Sequence, residues 1–519
     1  MQRLESYAAG TWHQGSGTAR NLVNPTTGEL IAECDSTGVD FGAVLQSAHE
    51  QGGPALRAMT FEARGKMLKD LAAAIHEHRE ELIELAIANG GNTRGDAKFD
   101  LDGATGTLAA YAHYGKSLGD RPFLSDGEGM QLGRTARFWG QHVFVPRHGV
   151  AVHINAFNFP AWGMMEKAAC ALLAGVPVIE KPGTPTALVA WKVARIAIDS
   201  GLLPEGSFQF IAGSLGDLLD RLGPQDSVAF TGSATTGLTI KSTPNLLRQN
   251  VRVNIEADSV NAAVLAPDVD SSADAYGEFL SNVARDMTQK TGQKCTAVRR
   301  ILVPADRVEE VVQDLVAEIG RTAVGDPTDK ANRMGPLTNA GQFEEVQAGV
   351  RGMMEAASVA CGGPDALAAG DCFIAPTLLV ANDARHPGFH DKEVFGPVAT
   401  VLPYTGSAAD AVELVNLGGG GLVTSVYSND ADWSTEYILG VAPWHGRVWI
   451  GSDRSAGQAL PPGMVLPGMI HGGPGRAGGG EELGAERGLA FYMQRVALQG
   501  FKGLVDGSFG AKKEAAAEA

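Results

Sequence analysis

A chain of 519 residues, 44% hydrophobic and carrying a formal net charge of -17, exceeds what one hydrophobic core serves, so at least two domains are expected. The acidic balance and the lack of any Lys/Arg run interleaved with aromatics exclude non-specific nucleic-acid binding. The start "MQRLESYAAGTWHQG" lacks a basic segment followed by an apolar one, and Gly175 and Pro177 break the longest apolar stretch short of a membrane span, so a soluble, cytoplasmic protein is expected.

Residues 60–90, "TFEARGKMLKDLAAAIHEHREELIELAIANG", place apolar side chains at helical spacing and close on Asn-Gly, which predicts long helices. At 134–149, "RTARFWGQHVFVPRHG" alternates apolar and polar residues around a turn and resembles a protruding hairpin more than a core strand. From Gly149 the texture changes: short β-branched runs ("GVAVHI", "VPVIEK", "SFQFIAG", "SVAFTG", "RVNIEA") alternate with helical patterns, the signature of βαβ units and a parallel sheet. A second alternation runs from "NAAVLAP" through "RILVPADRVEEVVQDLVAEIG" to "GRVWIGSD", with the join near Asn261. The tail "GAKKEAAAEA" is low in complexity and is expected to fray.

Five cysteines (Cys34, Cys170, Cys295, Cys361, Cys372) are odd in number and widely spaced, with no CxxC pair and no Cys/His cluster at ligand spacing. That predicts reduced thiols and no metal site. Cys170 sits in an apolar run and reads as packing, whereas Cys295 lies in the polar stretch "TGQKCTAVRR".

The common dinucleotide fingerprint GxGxxG is absent from the βαβ region. In its place "FTGSATTG", residues 230–237, ends a β-run in Thr-Gly-Ser before a helix, a turn that frees backbone amides for a pyrophosphate. Lys181 and Thr184 stand at the carboxyl end of "VPVIEKPGTPT", where ligands of open α/β sheets bind. Taken singly, these are equally good turn, capping and strand-end residues.

Three segments gain meaning together. Asn158 in "HINAFNFPAWG", Glu256 in "NIEADSVN" and Cys295 in "GQKCTA" offer an amide donor, a carboxylate base and a thiol nucleophile, the parts that acyl chemistry needs. A non-catalytic role is opposed by the retention of all three. An unrelated Cys-dependent hydrolase would want a histidine partner, and none flanks Cys295. His471 reads as a hydrogen-bonded loop histidine rather than a catalyst.

The pieces "FNFP", "EKPGTPT", "FTGSATTG", "EADSVN", "GQKCTA", "KEVFGPV" and "HGGPGRAGGGEELG" occur in this order over nearly the whole chain, and together they resemble the aldehyde dehydrogenase superfamily. The resemblance implies an α/β fold with two Rossmann-like parallel-sheet domains and a small β bridging domain. Residues 1–133 and 151–261 would bind cofactor, 262–470 would carry the catalytic thiol, 134–150 and 489–510 would bridge a homodimer, and 511–519 would be a flexible tail.

By the same resemblance Cys295 attacks the aldehyde as thiolate, the Asn158 amide and the Cys295 backbone N–H hold the oxyanion, and Glu256 activates the water that hydrolyses the thioester. Lys167 and Glu482 relay the proton onward, although Glu481 stands where the family carries an arginine. Lys181 reaches the adenosine ribose, Thr184 leaves room for a 2′-phosphate, and Gly232, Ser233 and Gly237 belong to the pyrophosphate segment. Glu393 bonds the nicotinamide ribose and Phe395 packs near the ring. NADP is the expected cofactor, with NAD also admitted. Family members that release CoA thioesters lack a carboxylate at the Glu256 position, so its presence here implies a free acid as product.

"AVHINAFNFPAWGMMEK", "DMTQKTGQKCTAVRRI" and "MIHGGPGRAGGGEELG" resemble the branch that handles CoA-tethered semialdehydes in aerobic breakdown of aromatic acids. A general or aromatic aldehyde dehydrogenase that never meets CoA is the alternative.

Overall fold

Continuous apolar runs become strands buried on both faces, as Ala151–Ile154 shows by having no exposed residue. It lies in the middle of the first sheet, ordered Arg252–Glu256, Ser227–Thr231, Ala151–Ile154, Val178–Lys181, Phe208–Phe210, Gln2–Ala8, Leu30–Cys34 and Arg20–Val23, with Thr11–Gln14 paired to Gln2–Ala8. The first five strands run parallel, as the βαβ reading requires. This computed structural model describes residues 2–365 and 367–511, so all but the first residue of the expected 511–519 tail lies outside the described residues.

The helices predicted over 60–90 are Phe61–Glu77 and Arg79–Gly90. The Thr60 side chain accepts the Ala63 amide at the first start, and the second ends at Gly91, whose φ of 67° is costly for residues with a Cβ. Helices Arg94–Leu118, Trp162–Ala174 and Ala187–Asp199 pack with them through Leu68, Leu71, Leu108, Met164, Leu172 and Val189. Cys170 sits in this core, 4% exposed.

The second sheet is ordered Ala357–Cys361, Thr377–Ala381, Val398–Tyr404, Val298–Pro304, Asn261–Leu265, Gly421–Tyr427 and His445–Gly451. Its pairs are parallel except the first. Its first strand in the chain starts at Asn261, where the texture of the sequence changes.

The expected hairpin within 134–149 is instead one strand, Phe138–Pro146, placed between Leu124–Gln131 and Met493–Phe501 in a three-stranded antiparallel sheet. Residues 124–131, grouped above with the cofactor domain, therefore belong to this sheet. Their sequence "LSDGEGMQ" hides the strand because it carries few apolar residues, and the register slips between Asp126 and Met130, where Gly127 has a φ of 68°.

A short hairpin, Ile470–Gly473 with Gly480–Leu483, is made by the glycine-rich "HGGPGRAGGGEELG". Its glycines permit close approach: a Cβ on Gly478 or Gly480 would lie 2.4 or 2.3 Å from the Ile255 carbonyl oxygen. The hairpin is thus pressed onto the end of strand Arg252–Glu256. Among the described residues no helix is long and apolar enough to cross a membrane.

Candidate active site

The thiol sits at the end of a constrained turn. Helix Asp274–Thr288 stops, and Lys290, Thr291 and Gly292 follow with φ of 53°, 56° and 67°. Two of these carry a Cβ, a conformation held only where the surroundings over-determine it. Here Thr291 Oγ1 donates to the Gly335 carbonyl at 3.1 Å, and the Lys290 ammonium lies 4.4 Å above the Phe159 ring. A Cβ on Gly292 would stand 2.2 Å from the Gly396 oxygen. Lys294 Nζ donates to Asp286 at 2.8 Å and to Gln289 at 2.9 Å, and Asn261 Nδ2 donates to the Cys295 carbonyl at 2.7 Å. The polar character of "GQKCT" is therefore internal wiring that fixes the nucleophile's backbone, and Cys295 stays half-buried at its tip.

Glu256 ends its strand opposite Thr231, 1% exposed, with Thr231 Oγ1 donating to its Oε2 at 3.4 Å. The unexpected member is His471. Its Nε2 lies 3.2 Å from Glu256 Oε1 and 3.8 Å from Cys295 Sγ, and it is 2% exposed. His471 is hydrogen-bonded as expected, but it lies on a strand rather than in a loop, and the hairpin carries it between Glu256 and the thiol. The signal that finds it is register, because His471 pairs directly with Glu482, a residue already singled out. Glu256, Cys295 and His471 bring ligand atoms within 4.8 Å of one another, a grouping that sequence spacing conceals.

Behind Glu256, Lys167 Nζ stands 3.1 Å from Glu482 and 3.7 Å from Glu166, and Asn254 Nδ2 donates to Glu482 at 3.1 Å. Glu166 was missed because its position on a helix that is buried throughout reads as core. The carboxylates of Glu166, Glu256 and Glu482 lie within 4.8 Å of one another. Such crowding of like charge must be answered by cations or protons. Burial pushes Glu166 up to about 7 against the pull of Lys167. Burial would raise Glu256 too, but the His471 and Lys167 charges overcome it and bring it down to about 2. Burial opposes a charged His471, yet Glu256 raises it. Burial, then Glu256, pushes the Cys295 thiol up. These shifts favour the thiol form of Cys295 and the charged form of His471 beside the Glu256 carboxylate.

Asn158 follows strand Ala151–Ile154 and is 7% exposed. It lines, with Cys295, Glu256, His471 and Thr296, a cavity of about 40 Å³. Phe99, Phe159 and Trp162 form its apolar wall, meeting edge to face at centroid distances of 5.2 to 5.8 Å. A space of that size takes a carbonyl group and little else.

Of the residues expected to hold the cofactor, Lys181, Thr184, Gly232 and Ser233 stand at the carboxyl ends of strands of the first sheet. Lys181 ends its strand with its ammonium free of any hydrogen-bond or ion-pair partner among the described residues, and Thr184 opens the turn Thr184–Thr186. Burial lowers the Lys181 ammonium, with Cys34 opposing and Arg20 reinforcing the shift. Ser233 caps helix Ala234–Lys241 by accepting the Thr236 amide, and the Gly232 amide donates to the Glu256 carbonyl at 3.1 Å. Gly237 lies buried inside that helix, where a Cβ would meet Ile255 Cγ2 at 2.9 Å, so its smallness serves close helix–strand packing. Glu393 is engaged by Arg299 Nη2 at 2.9 Å and by the Ser259 amide at 3.1 Å, and burial pushes it up to about 7. Phe395 stacks edge-on against Phe157 at 5.8 Å. A free ammonium, a capped helix start and close glycine packing fit a dinucleotide along this edge.

Comparison with known proteins bears on this geometry. Residues 12–497 match the model of the aldehyde dehydrogenase family. The chain is 42% identical over 481 residues to a 3,4-dehydroadipyl-CoA semialdehyde dehydrogenase of Aromatoleum evansii, covering 91% of this chain and 93% of that one. It is 30% identical over 486 residues to a phenylacetaldehyde dehydrogenase of Pseudomonas fluorescens, covering 92% of each. Betaine aldehyde dehydrogenase of Staphylococcus aureus, solved in complex with NAD+, shares the fold with a TM-score of 0.83 at 23% identity, over 96% of this chain and 95% of that one. A thiol, a carboxylate and an amide meeting in one cavity between two parallel sheets, in a chain matched over nearly its whole length, lead to one assignment: the protein belongs to the aldehyde dehydrogenase family and is an oxidoreductase acting on aldehydes.

Proposed function

We propose that this enzyme oxidises a CoA-tethered semialdehyde, of the 3,4-dehydroadipyl-CoA semialdehyde type, to the carboxylate, with NADP preferred over NAD. The observation that carries the chemistry is the convergence of Cys295, Glu256, His471 and Asn158 on one small cavity. The identity of the tethered substrate is supported by the 42% identical relative.

His471 in its neutral form takes the thiol proton of Cys295, leaving Glu256 a carboxylate, and the thiolate attacks the carbonyl carbon. A C–S bond forms and the π pair moves onto oxygen, where the Asn158 amide and the Cys295 backbone N–H hold it. Losing one such donor typically costs about 3 to 4 kcal/mol of transition-state stabilisation. Bound nicotinamide dinucleotide supplies the acceptor for the hydride released as the carbonyl reforms. That leaves a thioester on Cys295. Glu256 then takes a proton from water, the hydroxide adds to the thioester, and the C–S bond breaks to release the acid. Lys167, Glu482 and Glu166 lie behind Glu256 and pass its proton outward. Lys167 also restrains the mutual repulsion of the three carboxylates.

Thr184 favours NADP because a neutral hydroxyl does not repel a 2′-phosphate, as a carboxylate would. Homodimer formation is supported by the three-stranded sheet, whose outer strand Met493–Phe501 leaves an edge unpaired and exposes Val496 and Phe501.

The test is the rate of reduced-cofactor formation with NADP and with NAD, on a CoA-tethered aliphatic semialdehyde and on its free counterpart. A strong preference for NADP and the tethered aldehyde is expected. Equal use of both aldehydes would favour the reading as a general aldehyde dehydrogenase.

A further inference from the structure

The catalytic cavity of about 40 Å³ leaves no room for a bulky carrier. A cleft of about 1080 Å³ lies beside it, walled by the start of helix Arg94–Leu118, by the end of helix Asp274–Thr288 and by residues 318–333. No described residue lines both voids, but helix Arg94–Leu118 borders each. Lys98 faces the cleft while its neighbour Phe99 lines the cavity. Gln289 faces the cleft and accepts the hydrogen bond from Lys294, the residue before Cys295.

The cleft runs against the charge of the chain. Its acids are Glu84, Asp96, Glu318 and Asp329. Glu84 is answered by Arg94, Glu318 by Arg321, and burial pushes Asp96 towards its neutral form. Its cations Lys98, Arg285, Lys330 and Arg333 have no side-chain hydrogen-bond or ion-pair partner among the described residues. Four unpaired cations against one unpaired acid, Asp329, in a chain with a net charge of -17, favour an anionic ligand there.

We propose that this cleft holds the phosphorylated ADP end of the CoA carrier. CoA is a thin, flexible arm ending in a bulky, phosphate-rich head, which matches a narrow apolar cavity adjoining a wide cationic cleft. Guanidinium groups such as those of Arg285 and Arg333 suit phosphate oxygens by their paired N–H donors. The inference rests on the CoA-tethered substrate proposed above and assigns where the carrier is gripped.

The test compares kcat/KM on the tethered and the matching free aldehyde for the wild type, R285A/R333A and R285K/R333K, with adenosine 3′,5′-bisphosphate as competitor. The tethered-to-free ratio is expected to fall about tenfold or more in the alanine pair, equivalent to about 1.4 kcal/mol, and to recover largely in the lysine pair. Adenosine 3′,5′-bisphosphate should compete with the tethered aldehyde in the wild type and more weakly in R285A/R333A. A ratio unchanged within about twofold in R285A/R333A, or competition by the bisphosphate against NADP alone, would overturn the cleft assignment while leaving the substrate reading intact. A wild type that does not distinguish the two aldehydes would instead overturn the substrate reading, and the assignment with it.

Discussion

The imidazole of His471 stands 3.8 Å from the sulfur of Cys295 across a separation of 176 residues, and the same nitrogen is 3.2 Å from Glu256. One nitrogen facing both groups cannot act only as the thiol's base. As an imidazolium it is the nearest counter-charge to Glu256, and Glu256 in turn raises its pKa. The pair favours the ionised form of a deeply buried carboxylate, while burial and that carboxylate push the thiol up.

Replacing Cys295 by Ala should reduce turnover by about a thousandfold or more, because Cys295 is the one thiol among the described residues lining the cavity. Cofactor binding, followed by fluorescence quenching, should persist. Retention of wild-type turnover would refute the covalent route.

Glu256→Gln should preserve the first hydride transfer as a burst and collapse steady-state turnover, with the acyl-enzyme visible by intact-mass measurement. If the burst disappears as well, Glu256 is needed earlier, for removal of the thiol proton.

His471→Gln removes a positive charge from beside a carboxylate whose pKa lies at about 2. The sign follows directly: without the cation the carboxylate is harder to ionise, its pKa rises, and the acid limb of the deacylation rate moves to higher pH by about one unit or more, each unit being about 1.4 kcal/mol. Single-turnover deacylation measured across the acid range reads this shift. A limb in the wild-type position would leave His471 a structural residue only.

Thr184→Glu places a negative charge where a 2′-phosphate is expected, so kcat/KM should fall about tenfold or more for NADP and much less for NAD. An equal loss on both cofactors would show that the phosphate lies elsewhere.

Lys167 is 1% exposed at its side chain and separates Glu166 from Glu482, so Lys167→Met should destabilise the fold by about 3 to 5 kcal/mol in denaturant titration. The deficit should be smaller at pH 5 than at pH 8. Without the ammonium, the Glu166 pKa rises further above its unfolded value, and its protonation at low pH then relieves the repulsion. An unchanged unfolding midpoint at pH 8 would mean that the carboxylates already share protons.

The sequence by itself determined the parts. The helix start at Thr60, a stop at the Asn-Gly pair one residue before the left-handed Gly91, and the buried parallel strands follow from side-chain chemistry acting over a few residues, and they were legible. The thiol, the carboxylate and the amide were legible as candidates only as a set, because their segments gain meaning together. What only the tertiary structure decided is how they are joined. Strand Leu124–Gln131 gains its place by pairing, without apolar alternation of its own. Glu393 is bound by Arg299 from another segment. His471 becomes a partner of Cys295 and Glu256 only because Gly478 and Gly480 let a hairpin lie against Ile255. Local propensity cannot carry such information, since the contact is made by packing between segments far apart in the chain, and its charge balance exists only once burial has removed the water.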